Sequence, residues 1–146
     1  MQRLTFLLIY CLLSIVSLAQ STNEDITSSF FKDYEKDPLN AYMHVFSQNK
    51  WIAEKKSALE TNRIKLKDLL DQLGDYDGYE LITEKRAGES YILKSFLLKY
   101  DRQPVRFTFI LYRPKKSWVL QNLSFDTDID TELSEAAKVD RLKTNW

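Results

Sequence analysis

The order of hydrophobic patterns along the chain predicts an α+β fold: N-terminal helices packed on a curved four-stranded antiparallel sheet, with a short C-terminal helix. Three observations predict it. Helical periodicity fills the first half of the chain and strand-like alternation the second. The connectors between the four strand-like runs are "AGE", "DRQP" and "RPKKS", short enough for an antiparallel meander. All three glycines, Gly74, Gly78 and Gly88, fall between the last N-terminal helix and the second strand, where they serve turns rather than a phosphate cradle.

The chain opens with "MQRLTFLLIYCLLSIVSLAQ": one positive charge at Arg3, an apolar run from Leu4 to Val16, then small residues at Ser17 and Ala19. This is the layout of a secretory signal, with cleavage expected after Ala19. The apolar run is shorter than the roughly 20 residues of a spanning helix, and a retained anchor is the alternative. Cys11, the one cysteine, lies inside that run and lacks the small preceding residues of a lipidation site. The expected organisation is a signal peptide over 1–19 and one domain over 20–146, with loose ends near 20–25 and 142–146.

The elements follow in order. "DITSSFFKDYEKD" places Ile26, Phe30, Phe31 and Tyr34 at helical spacing, with Asp25 as a cap. Pro38 opens a second helix carrying Leu39, Tyr42, Met43 and Phe46, since proline is tolerated in a first turn. Ile52, Leu59, Leu66 and Leu73 recur every seven residues across 49–73, an amphipathic helix or a pair of helices broken at Thr61-Asn62, and Gly74 ends it. Strands are expected at about 78–87, 90–101, 104–113 and 117–126. In the third, Val105, Phe107, Phe109 and Leu111 alternate with Arg106, Thr108, Ile110 and Tyr112, so one face is wholly apolar and the other mixed. "DIDTELSEAAKVDRLK" is acidic at its start and basic at its end, which matches a helix dipole, with Asp130 as the expected cap.

Composition narrows the chemistry. The whole chain carries 21 basic and 21 acidic residues, and loss of Arg3 with the signal leaves one net negative charge. That mixed balance argues against nucleic acid as a partner. Without Cys11 the exported chain has no disulfide and no thiol nucleophile. His44 is the only histidine, too few for a triad or a histidine metal site, and reads as a polar residue on a packed helix. Asp126, Asp128 and Asp130 have the spacing of calcium-loop ligands. Thr131, however, stands where that loop needs glycine and Ala137 where it needs glutamate, so the segment reads as a strand end and helix start. No catalytic residue, metal ligand or cofactor motif is assigned. Asp75, Asp77, Glu80 and Glu84 cluster around a turn, where carboxylates are common for local hydrogen bonds. Arg102, Arg106, Arg113, Lys115 and Lys116 read as a solvated basic edge.

The aromatics remain as binding candidates. Tyr42, Phe107, Phe109, Tyr112 and Trp118 are the residues that would line a pocket between sheet and helices, the alternative being that they are core.

The order helix, helix, long helix and meander resembles the NTF2-like superfamily, the SnoaL and cystatin-like α+β cones. The specific echo is "KKSWVLQNLSFD", with Trp118 opening the closing strand and an aromatic near its end. The layout "LGDYDGYELI…SYILKSFLLKYDRQPVRFTFILYRP" is similar to small exported bacterial proteins of unknown function, and Ala19-Gln20 is similar to the cleavage point of Bacteroidetes-type exported proteins. The resemblance covers roughly residues 26–127 and implies a cone with a pocket. Its isomerase and cyclase members use an Asp base with a Tyr or Asp donor, and no motif here anchors those positions. The expected function is therefore a non-catalytic binding protein, periplasmic or secreted, for a small apolar ligand, a peptide or an envelope protein, with no stable membrane anchor after signal cleavage. The alternatives are a small isomerase or cyclase with a buried carboxylate, and a cystatin-like inhibitor using "RPKKS".

Overall fold

The computed structural model describes residues 23–144. The expected signal peptide and Cys11 lie outside them. Four helices come first: α1 (Asn23–Tyr34), α2 (Pro38–Ser47), α3 (Lys50–Ala53) and α4 (Lys56–Leu70). Four strands follow, β1 (Tyr76–Ala87), β2 (Tyr91–Tyr100), β3 (Val105–Tyr112) and β4 (Val119–Asp126), and α5 (Ile129–Thr144) closes the chain. The sheet order is β1-β2-β3-β4 with every neighbouring pair antiparallel, as the short connectors require.

Sequence chemistry accounts for most of the boundaries. Asp37 sits before Pro38 and its carboxylate accepts from the Asn40 N–H at 3.0 Å, capping α2 where proline forbids a further helical bond upstream. Helix α1 begins two residues before the expected Asp25 cap, so Asp25 is a helical residue and not the cap. The break in the 49–73 stretch falls at Glu54-Lys55 rather than at Thr61-Asn62. Thr61 stays helical because its hydroxyl donates to the Ser57 carbonyl at 2.9 Å. The chain instead bends where α3, tied to β4 through Asn49, gives way to α4, whose Leu59 and Leu66 are committed to the core. Asp130 lies inside α5; the residue before the helix is Asp128, whose N–H donates to the Asp126 carboxylate at 3.0 Å and whose carbonyl accepts from Glu132.

Gly74 has φ +84°, and a Cβ there would sit 2.9 Å from the Asp101 side chain. The close approach is used: Asp101 accepts from the Asp75 N–H at 2.9 Å, which joins the α4–β1 turn to the end of β2.

The core lies between the helices and one face of the sheet. Val105, Phe107, Phe109 and Leu111 are all 0% exposed, so the alternation in β3 marks the buried face as expected. Phe30 and Phe31 of α1 reach that face: Phe30 meets Phe109 edge-on at 5.1 Å, and Phe31 stacks on Tyr79 of β1 at 3.7 Å. Two bulges keep the right side chains on it. The irregularity between Ile110 and Leu111 lets Leu120 and Leu123, three residues apart, both face inward opposite Leu111 and Phe109. The irregularity between Leu81 and Thr83 shifts β1 by one residue, which places Glu84 directly opposite Lys94.

Candidate functional site

The five aromatic candidates do not form one site. Tyr42, Phe107 and Phe109 are at most 1% exposed and Trp118 is 8% exposed, so four belong to the packed core. Tyr112 faces the other side of the sheet, opposite Tyr91 with ring centroids 6.3 Å apart, and is 39% exposed. The arginines of the basic edge are spent structurally, while Lys115 and Lys116 are exposed. Arg102 donates to the Gln72 carbonyl, and Arg113 donates to the Glu89 carbonyl while covering the Trp118 ring at 5.1 Å. Arg106 grips Asp126 through two nitrogens, at 3.0 and 3.1 Å, and also meets Glu132 of α5.

Open space lies among the helices instead. Helix α2 presents Met43, partly buried against the core, and the exposed Ser47 one turn on, beside the face that buries Tyr42 and Phe46. The corner of α3 adds Ala53, and the first turns of α4 add Lys56, Leu59 and Glu60. Together they line a cleft of about 350 Å³ with Met43, Ala53 and Leu59 as its apolar wall. The wall is held by Asn49. Its side-chain oxygen accepts from the Trp51 N–H at 3.1 Å and its amide nitrogen donates to the Leu120 carbonyl at 2.8 Å, while the residue is 7% exposed. Ser47 donates to the His44 carbonyl at 2.7 Å, and Glu60 is bonded by Arg63. That hydrogen bond, above all, holds the Glu60 carboxyl below its ordinary range. The Lys56 ammonium meets no carboxylate among the described residues.

A second, smaller cleft of about 220 Å³ lies between α1 and α2, floored by Ile26, Phe30, Ala41 and Val45. Asp33 and His44 stand at its rim, 3.3 Å apart and both exposed. Ser29 lines the same cleft, but no hydrogen bond joins it to His44, so the three do not make a relay.

Titratable groups elsewhere serve the fold. Lys94, with a side chain 5% exposed on the core face, is 3.4 Å from Glu84. The Glu84 carboxyl is held below the usual range chiefly by its hydrogen bond from Arg86, with the Lys94 charge adding to it against the cost of burial. The Tyr34 and Tyr100 hydroxyls share a hydrogen bond of 2.6 Å, and burial pushes both, and neighbouring Tyr76, above the ordinary phenol range. The Tyr76 hydroxyl is buried without a partner. Every Asp and Glu among residues 26–140 keeps accessible surface. Among the described residues no group of three His, Cys, Asp or Glu converges as a metal site, and no helix is long and apolar enough to cross a membrane.

The sequence pointed to Tyr42 and passed over Met43 beside it. The available signal was a methionine on a capped helix, followed by a second apolar stripe at Ala53 and Leu59. No family model, curated protein or solved structure matches the chain.

Proposed function

We propose that this chain is an exported, non-catalytic binding module of NTF2-like architecture, and that the cleft between α2, α3 and α4 takes a small apolar ligand. The cleft itself carries the reading. Its volume of about 350 Å³ falls at the small end of the roughly 300–1,000 Å³ of small-molecule sites. It also has the usual make-up of such sites, an apolar wall with few polar groups. Met43 supplies an unbranched, adaptable side chain that fits irregular apolar shapes. The amino-terminal signal pattern supports export, and the order of helices and meander supports the NTF2-like reading.

The isomerase or cyclase alternative requires a carboxylic acid kept neutral by burial. Glu60 and Glu84, carboxyls with shifted acidity, are both shifted downward, toward the charged form. That favours binding over acid–base chemistry.

The test is titration with an apolar fluorescent dye, compared with Ser47→Trp. Ser47 is exposed and lines the cleft, so an indole there fills the space while leaving the core intact. Saturable dye binding that Ser47→Trp removes, at an unchanged melting temperature, is the expected result. Dye binding of equal strength in both proteins would remove the cleft from consideration.

A further inference from the structure

The α3–α4 corner gives Ala53 and Lys56 to the cleft, but it also carries Lys50, Trp51 and Lys55, which do not line it. Trp51 is 69% exposed, the most exposed large apolar side chain among the described residues. Its backbone N–H is bound by the buried Asn49 side chain, which anchors the main chain of α3 at this point. An indole this exposed contributes little to the core and is accessible to a partner that offers both apolar and wet surroundings. The Lys50 ammonium lies 4.7 Å from the centre of its ring. Lys55 and Lys56 follow within one turn, both exposed, and none of the three lysines meets a carboxylate among the described residues. Glu54 is the only acid between residues 50 and 56, so the corner carries two net positive charges on a chain that is neutral as a whole.

The other exposed lysine pair shows what is distinctive here. Lys115 and Lys116, in the β3–β4 connector, also stand next to a tryptophan, but Trp118 is 8% exposed and covered by Arg113. Among the described residues, only at the α3–α4 corner do unpaired lysines flank an accessible indole. Tryptophan partitions to the headgroup level of a bilayer, where its ring is apolar and its N–H is wet. Lysines at that level meet lipid phosphates.

We propose that the α3–α4 corner docks this protein on an anionic phospholipid surface, with Trp51 at headgroup depth and Lys50, Lys55 and Lys56 on the phosphates. The docking goes beyond the apolar-ligand reading and does not depend on it. It is a peripheral contact and needs no spanning helix. A protein partner fits the observations less well, because the other exposed residues between 50 and 56 are charged, Lys50, Glu54, Lys55 and Lys56, and not large apolar side chains.

The experiment is flotation of the exported chain, recovered from its host, with vesicles of phosphatidylcholine alone or with about one-third phosphatidylglycerol. Binding is expected to the anionic vesicles only, with release at high salt. Each lysine accounts for about a fivefold change in affinity, so the Lys50→Gln, Lys55→Gln, Lys56→Gln variant binds about a hundredfold more weakly. Trp51→Ser weakens binding several-fold, and both variants keep the wild-type circular dichroism because all four positions are exposed. Absence of binding, equal binding to neutral vesicles, or binding unchanged in the triple variant overturns the proposal. The last result is also what an uncleaved apolar leader would give. An acidic protein held through the same lysines by a chain that ignores vesicles overturns it as well.

Discussion

Replacing Asn49 by alanine tests whether one buried side chain organises the helical half of the molecule. The amide does two things at once: it caps α3 through the Trp51 N–H and ties that helix to the Leu120 carbonyl of β4. Losing an N-cap costs about 1 kcal/mol. Leaving a buried carbonyl without its donor costs about 1–3 kcal/mol more. The expected loss is therefore about 2–4 kcal/mol, a large part of the stability of an ordinary domain. With a urea slope of about 1.5 kcal/mol per molar, the midpoint falls by about 2 M. Equilibrium urea unfolding followed by circular dichroism gives the number directly. Asn49→Asp separates the two roles, since it keeps the cap acceptor but sets a carboxylate against the Leu120 carbonyl; it is expected to be at least as damaging as alanine. A midpoint shift below about 0.3 M for Asn49→Ala, roughly 0.5 kcal/mol, would refute the reasoning, and with it the claim that Asn49 fixes the cleft wall.

Glu84→Gln leaves the buried Lys94 ammonium without a carboxylate, and is expected to cost about 1–3 kcal/mol at neutral pH by urea unfolding. Because folding lowers the Glu84 pKa, its contribution is complete above the ordinary glutamate value of 4.5 and fades as pH falls through the lower folded value. The gap between wild type and variant should therefore narrow below about pH 4.5, and a gap that widens in acid contradicts the assignment. Tyr76→Phe removes a hydroxyl that is buried without a partner, so the melting temperature should hold or rise slightly, and a clear fall means the hydroxyl is satisfied. Phe109→Ala opens the centre of the aromatic core, where Phe30, Phe31 and Phe96 surround the ring, and should cost about 3–5 kcal/mol while cleft binding in the surviving folded fraction is unchanged. Loss of dye binding at full stability would instead make Phe109 a ligand contact.

Sequence pattern revealed the sheet more fully than the helices. In β3, Val105, Phe107, Phe109 and Leu111 form an unbroken period of two, and such a strand allows one register against a core. The four strands and their meander order followed from that alternation and from the short connectors. The bulges were hidden, because Leu120 and Leu123 share a face only once the pairing with β3 is known. The Lys94–Glu84 pair was hidden for the same reason: without the shift at Ile82, Glu84 would face away from the core. Among the helices, the heptad of Ile52, Leu59, Leu66 and Leu73 read as continuous, whereas a tertiary bond from Asn49 to β4 decided where the chain bends.

The candidate site was less visible still. Buried aromatics attract attention in a sequence because they are large and regularly spaced, and Tyr42, Phe107, Phe109 and Trp118 proved to be packed together in the core. A cleft depends on where three helices fail to meet, and nothing in the spacing of Met43, Ala53 and Leu59 records that gap. The basic residues misled in the opposite sense. Arg102, Arg106 and Arg113 each have a structural partner, while Lys50, Lys55 and Lys56, scattered through an unremarkable helical stretch, are among the lysines without a carboxylate.

The central claim, that the α2–α3–α4 cleft holds a small apolar ligand, is tested most directly by native mass spectrometry of the chain purified gently from its own host, beside Ser47→Trp prepared in the same way. A small mass adduct on the wild-type protein, lost on denaturation and absent from the variant, is the expected result. A bare wild-type mass, or an adduct that persists in Ser47→Trp, would contradict it.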